Sequence, residues 1–326
     1  MPSPDYPQIS AIICTHNRDR YLAKAIDSLL VQTCAHYEIL IIDNASTDRT
    51  RDLVQTYLHH PRISYHYEAT VGLSVARNTG ASLATAPILA YLDDDAIASP
   101  GWLQTFIDAY AQDEKLAISG GKVTLIWEEN CPEPLWLSQN LAGNLGLYDL
   151  GNFPIDIQQP GLTPRGLNYG IRRSFLDQVG GFDLNLGRVG KNLLSNEELH
   201  MTNLALQSGW RVAYLPDAIA AHHVAPERVH QRWFLARGWW QGISECYREQ
   251  LAGEAGWGQF GRGGERLVRG LYKAVKFSLF RRSKPDPLVF ENLVYSYGQI
   301  GYLLQVCQGL FDRNLFTNLF TKRERS

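Results

Sequence analysis

Three aspartates in a row, Asp93-Asp94-Asp95, follow directly on the apolar run Ile88-Leu89-Ala90-Tyr91-Leu92. Carboxylates gathered at the end of a buried strand repel one another, and folding them together calls for a compensating cation. Hard oxygen donors suit Mg²⁺ or Mn²⁺, and such an ion carries a phosphate ligand readily. The chemistry this implies is reaction at a diphosphate. The competing interpretation is a solvated acidic turn that closes the strand. Side chains alternate along an extended chain, so Asp93 and Asp95 are expected on one face and Asp94 on the other.

Such residues need a scaffold. Residues 8–14 (QISAIIC) are β-branched without a helical period and predict a buried strand. Leu22, Ala25, Ile26, Leu29 and Leu30 recur at helical spacing over 21–31. Residues 38–42 and 63–67 read as further strands, with a helix over 50–58 capped by Thr47-Asp48. A helix over 72–83 leads to the fourth strand, 88–92. Strands alternating with helices predict a parallel sheet with crossover helices, which binds ligands at the carboxyl ends of its strands. Thr15, Asp43 and Asp93 all fall at such ends. Further on, 100–112 reads as helix and 119–165, rich in Gly, Pro, Asn and Trp, as an irregular covering region. A short helix over 174–179 and a longer one over 196–208 follow, then strand-like 210–215 and 218–223. Strand-like stretches stop after Pro226, which places a domain boundary near residue 230.

A chain of 326 residues with 45% hydrophobic and 20% charged residues has the make-up of a soluble α/β domain with an appendage. Its five cysteines are scattered and form no CxxC pair, against a disulfide framework or a zinc site and in keeping with a reducing cytosol. The first ten residues lack the pattern of a secretory signal. The net charge of −2 hides an asymmetry: 262–284 carries +7 and the remainder −9. A local basic stripe suggests an anionic surface partner for that stripe alone.

The ordered motifs Ile12-Ile13-Cys14-Thr15-His16-Asn17-Arg18, Ile41-Ile42-Asp43-Asn44-Ala45-Ser46-Thr47-Asp48, Gly72-Leu73-Ser74-Val75-Ala76-Arg77-Asn78-Thr79-Gly80 and Leu92-Asp93-Asp94-Asp95 carry a family resemblance. Gly166-Leu167-Asn168-Tyr169-Gly170-Ile171-Arg172-Arg173 and Val179-Gly180-Gly181-Phe182-Asp183 extend it. From residue 9 to about 241 the chain resembles glycosyltransferase family 2, the inverting sugar transferases. The resemblance implies a GT-A, nucleotide-diphospho-sugar transferase fold: a Rossmann-like α/β architecture with a mainly parallel sheet flanked by helices. The catalytic domain would cover 1–230, with 8–118 as its nucleotide half and 119–230 as its acceptor half. A helical region would fill 231–326.

By the same resemblance, Thr15 and Asp43 would hold the nucleobase, Arg77 a phosphate or the base, and Asn17, Arg18, Asp94, Asn168 and Gly170 would border the nucleotide. Asp93 and Asp95 match the DXD positions that meet ribose and metal, and His222 matches a metal-ligating histidine. The implied cofactor is Mg²⁺ or Mn²⁺. Glu198, second of the pair Glu197-Glu198, matches the general base. Many relatives carry Asp there, and Gly in place of Asn196. The implied partners are a nucleotide-diphosphate sugar donor, expected to be UDP-linked, and a saccharide or lipid-linked saccharide acceptor, by family habit in cell-surface polysaccharide or glycolipid synthesis. No nucleic acid is implied.

Two other functions fit an α/β chain. A sugar-nucleotide nucleotidyltransferase normally has a glycine-rich basic loop after the first strand, where this chain has Thr15-His16-Asn17-Arg18. A non-catalytic glycan-binding module is the other. Gln231-Arg232-Trp233 lacks the QxxRW spacing of processive synthases. In the tail, Arg266, Arg269, Lys273 and Lys276 share one helical face, and Leu267, Leu271, Val275 and Leu279 another. Such a helix either lies on an anionic bilayer or packs its apolar side inward. The first option places the protein peripherally on the inner face of the cell membrane, the second in the cytoplasm. Apolar positions 290, 293, 294, 297, 300, 304, 307 and 311 predict an amphipathic rather than a spanning helix.

Overall fold

The computed structural model describes residues 6–189, 193–251, 257–280 and 287–311. Two compact units divide the chain: 1–129, 145–191 and 197–225 form the first, and 130–144, 192–196 and 226–326 the second. By this division the sheet unit ends at Ala225, and two internal segments belong to the helical unit.

The first unit begins with β1 (Ile9–Thr15), α1 (Asp19–Leu30), β2 (Tyr37–Asn44), α2 (Thr50–Gln55), β3 (Ile63–Glu68), α3 (Leu73–Leu83) and β4 (Ile88–Leu92). Its four strands run parallel in the order β3-β2-β1-β4. Both faces of β1 and β4 are buried, which is why they read as unbroken apolar runs. Tyr21, Leu22, Ala25, Ile26 and Leu29 form the buried side of α1. Register aligns Thr15 with Asp43, so the carboxyl ends of β1 and β2 finish level with each other.

Next come β5 (Ala96–Ala98), α4 (Trp102–Gln112), β6 (Leu116–Ile126) and, in the second unit, α5 (Gln139–Ala142). The first unit resumes with β7 (Ile155–Asp156), β8 (Asn168–Arg172), α6 (Arg173–Val179), α7 (Glu197–Gln207) and β9 (Arg211–His223). The sheet continues β4-β8-β6-β9-β5, with β7 also on β9. Here β8 is antiparallel to β4 and β6, while β6 and β9 are parallel. The region expected to be irregular from residue 119 thus starts inside an eleven-residue strand. Gly120 and Gly121 looked like loop punctuation, yet a Cβ on Gly121 would stand 1.9 Å from the Ala218 carbonyl oxygen. A register shift between Gly121 and Val123 marks the irregularity that this close approach accommodates. The two strand-like stretches around Pro216 are one continuous β9.

The second unit is built on α8 (Gln231–Leu251), α9 (Trp257–Phe280) and α10 (Pro287–Phe311). α8 and α10 meet through glycines: a Cβ on Gly242 would lie 1.7 Å from the Gly298 carbonyl oxygen, and one on Gly301 2.4 Å from that of Trp239. The ring of Trp136 meets Phe234 and Phe290 edge-on at 5.3 and 5.1 Å. Glu249, almost fully buried, accepts from Tyr302 Oη at 2.5 Å, Gln259 Nε2 at 3.2 Å and Arg262 Nη2 at 3.3 Å.

Small residues share the packed faces here with a few apolar ones, Tyr302 and Val306 among them. Of the expected α10 stripe, Phe290 and Val294 are buried, but Leu293, Tyr297, Ile300 and Leu304 are exposed. α9 turns Gly263, Gly270 and Ala274 inward, and the apolar side expected to pack, Leu271 and Val275, stays exposed. Between α8 and α10 close backbone approach needs small side chains, whereas Gly263 and Gly270 of α9 make room for the side chains of Tyr302, Leu303, Tyr295 and Ser296. Arg281, Arg282 and Lys284 of the basic stripe, and the Leu279 side chain, lie outside the described residues.

Candidate active site

Asp93, Asp94 and Asp95 lie just past the end of β4, at the edge the parallel strands share. The chain leaves the extended conformation at Leu92 and turns, with Ala96 N donating to Asp93 O at 3.1 Å. Strand alternation therefore does not govern these three side chains. Asp94 and Asp95 are buried and Asp93 half-buried. Burial, and then the Asp95 charge, push the Asp93 carboxyl above its ordinary range, with Arg77 opposing. The same two causes push Asp94 up to about 7, against Arg18 and the neighbouring Thr15 hydroxyl. Arg18 Nη2 stands 3.8 Å from Asp95.

β9 delivers His222 to this cluster: its Nε2 lies 3.0 Å from Asp95 Oδ1 and its Nδ1 2.6 Å from the Leu145 carbonyl oxygen. A carbonyl only accepts, so Nδ1 carries a proton. A neutral ring would then aim its Nε2 lone pair at a carboxylate, an arrangement that a proton or a cation between them relieves. With a proton on Nε2 the 3.0 Å separation is that of a hydrogen bond; an imidazole nitrogen and a carboxylate oxygen are also donors that would suit a divalent ion. Asp93 is not brought to it: among the described residues, no three carboxylate, imidazole or thiol groups converge closely enough to share a metal.

Arg77 was expected to face the nucleotide. Its guanidinium is instead buried, with Nη1 3.1 Å from Oε1 of both Glu197 and Glu198. α3 carries the arginine and the first turn of α7 carries both acids. Tyr91 and Phe182 place their rings 5.9 and 5.5 Å from the guanidinium carbon. Burial disfavours the charged guanidinium, but Glu198 and Glu197 outweigh it and bind its proton more tightly. Glu197 is pushed up to about 7, first by burial and then by the Glu198 charge. The two acids differ in access, with 4% side-chain exposure for Glu197 and 16% for Glu198. Asn196, just before them, has φ 82°, a left-handed backbone that Gly adopts freely and Asn tolerates.

Several residues expected at the nucleotide also make structural contacts. Asn168 is fully buried, accepts from Trp102 Nε1 at 2.7 Å and donates to the Lys122 and Ala218 carbonyls at 3.2 and 2.7 Å. Gly170 is a buried β8 position, and a Cβ there would meet Phe106 and Ser119 at 2.9 Å. Asn17 Oδ1 accepts from Thr47 N at 2.7 Å and Asp48 N at 3.2 Å, tying the β1 end to the loop after β2. Asp43 Oδ1 accepts from Ser46 N at 2.9 Å and Oδ2 from Tyr65 Oη at 2.7 Å, leaving each oxygen one more lone pair. Thr15 is buried at the β1 end beside Asp94.

Gly166 belongs to the site for a reason that its motif does not reveal. A Cβ there would fall 1.7 Å from Glu198 Oε1 and 2.3 Å from Arg77 Nη2. Gly166→Ala is expected to part that ion pair and destabilise the protein by about 1–3 kcal/mol. Turnover should fall more than donor affinity, as steady-state kinetics beside calorimetry would register; unchanged turnover would separate the pair from catalysis.

Residues 10–157 match Glycosyl transferase family 2. The chain is 27% identical over 252 residues to the glucosyl-dolichyl phosphate glucuronosyltransferase of Haloferax volcanii, covering 76% of this chain and 79% of the relative. It is 41% identical over 109 residues to the validoxylamine A glucosyltransferase of Streptomyces hygroscopicus subsp. limoneus, covering 32% of this chain and only 24% of that one. The mannosyltransferase PcManGT from Pyrobaculum calidifontis, solved with GDP-Man and Mn²⁺, superposes with a TM-score of 0.53 at 16% identity, over 99% of this chain and 82% of that one. At that identity the superposition bears on the fold. Over residues 10–157 the chain matches glycosyltransferase family 2, and with its relatives this makes it a glycosyltransferase that uses a nucleotide-sugar donor, on a GT-A fold.

Proposed function

We infer that the protein moves a sugar from a nucleoside-diphosphate sugar to a hydroxyl acceptor with inversion at the anomeric carbon. The observation that carries this reading is the place of Arg77. The same buried guanidinium feels Asp93 of the diphosphate cluster and the acids Glu197 and Glu198. It links a site suited to a leaving diphosphate with a carboxylate open enough to meet an acceptor.

In this reading Glu198 accepts the proton of the acceptor hydroxyl. The acceptor oxygen then bonds to the anomeric carbon as the bond to the diphosphate breaks, and the electron pair leaves with the phosphate oxygen. Asp95 and His222 hold Mg²⁺ or Mn²⁺, which when bound offsets the charge of the departing diphosphate. Asp43, at the β2 end, has lone pairs left for a base, and Thr15 and Arg18 border the same rim. UDP, or another pyrimidine diphosphate, is the proposed nucleotide; the GDP-Man complex of the structural relative makes GDP the necessary comparison. The relative named for glucosyl-dolichyl phosphate supports a lipid-linked saccharide acceptor, in cell-surface polysaccharide or glycolipid synthesis. Peripheral contact with an anionic membrane agrees with such an acceptor.

Asp95→Ala is expected to weaken Mn²⁺-dependent binding of UDP or GDP at least about 100-fold, because a metal bridge contributes several kcal/mol. Calorimetric titration with and without Mn²⁺ tests this. Equal affinity in native and variant chains would remove Asp95 from the donor site.

A further inference from the structure

We propose that α9 seats the protein on an anionic lipid surface through its outward face: an exposed apolar row flanked on one side by cations. Val268, Leu271, Tyr272 and Val275 are 68, 46, 65 and 58% exposed. At 100° per residue they span one side of the helix, opposite the inward-facing Gly263, Gly270 and Ala274. Beside them run the basic residues. Arg266 is engaged with Glu245 at 2.9 Å and Arg269 with Glu265. Lys273 and Lys276 are exposed and have no carboxylate partner among the described residues. The apolar row therefore has an adjoining source of uncompensated positive charge. The exposed row of α10 adds apolar surface in the same unit.

Charge selects the occupant. The 262–284 window carries +7 on a chain whose remainder is −9. A second copy docking through the same row would bring two cationic flanks together, whereas acidic headgroups complement them. Apolar side chains reaching past the headgroups complement the row itself. The helix would lie in the interface plane, since among the described residues no helix is long and apolar enough to cross a membrane. The proposal extends the lipid-linked acceptor reading by naming the surface that would bring the enzyme to such an acceptor.

The test is flotation of the full chain with vesicles of phosphatidylcholine alone or containing 30% phosphatidylglycerol by choice of composition, at about 0.1 and 0.5 M salt. Binding is expected on the anionic vesicles and should weaken at high salt. Lys273→Glu with Lys276→Glu should reduce partitioning at least about 25-fold, from about fivefold per lysine lost near the surface. Leu271→Ser with Val275→Ser should reduce binding at both salt concentrations. Both variants should keep the native melting curve and native UDP or GDP affinity, so the donor reading stands or falls separately. Absence of native binding to anionic vesicles, or full binding by both double variants, would overturn the proposal. So would a solution dimer that the serine variant dissolves while vesicle binding stays absent.

Discussion

Glu198→Gln is expected to bind donor as the native chain does and to lose turnover by about 10²–10⁴-fold, the usual contribution of a positioned general base. The amide keeps an oxygen for Arg77 Nη1, which lies 3.1 Å from Glu198 Oε1, so the variant should fold normally. It cannot take the acceptor proton at neutral pH. Single-turnover transfer measured beside calorimetric donor affinity separates the two effects. Native turnover in this variant would move the base elsewhere. The parallel Glu197→Gln change is the control, because Glu197 is enclosed and Glu198 is not.

Arg77→Met should destabilise the first unit by about 3–5 kcal/mol at pH 8, the range seen when one partner of a buried ion pair is removed. The guanidinium is nearly enclosed, so water does not replace it. Two carboxylates would then face each other with nothing between them. The loss should shrink toward pH 5.5, and the sign follows from linkage. Burial and the Glu198 charge push Glu197 up to about 7 in the folded protein, above the ordinary 4.5 of an unfolded glutamate. Above 4.5 the folded state therefore holds protons that the unfolded chain has released, and stability is lost as pH rises through about 7. Without Arg77 this dependence should steepen; with Glu197→Gln it should flatten. Urea denaturation at both pH values measures the slopes. An Arg77→Met variant equally stable at both would show that the acids reach water.

The alternation of β1 to β4 with α1 to α3 was legible because each element's periodicity is local. Apolar runs mark strands buried on both faces, and i, i+3, i+4 spacing marks α1. β6 was not legible, because the glycines that let the Ala218 backbone approach look, in sequence, like a loop. The turn at Asp93–Asp95 was hidden too, since nothing local says that extension stops at Leu92 rather than two residues later.

What the amino-acid sequence determined by itself is where chemistry could sit: Thr15, Asp43 and the three aspartates at carboxyl ends of parallel strands. That follows from strand period and connection geometry, both short-range properties. The tertiary structure alone decided which groups face one another. Arg77 and Glu198 are 121 residues apart in the chain, and only the tertiary structure, which sets α3 beside the start of α7, brings the guanidinium to that carboxylate. Asn168 became a buried strut by the same kind of long-range contact, with Trp102 and Ala218. The outward face of α9 was decided likewise. Its Gly263 and Gly270 make room for side chains of α10, and what that contact leaves uncovered is a property of the packed helices rather than of their hydropathy.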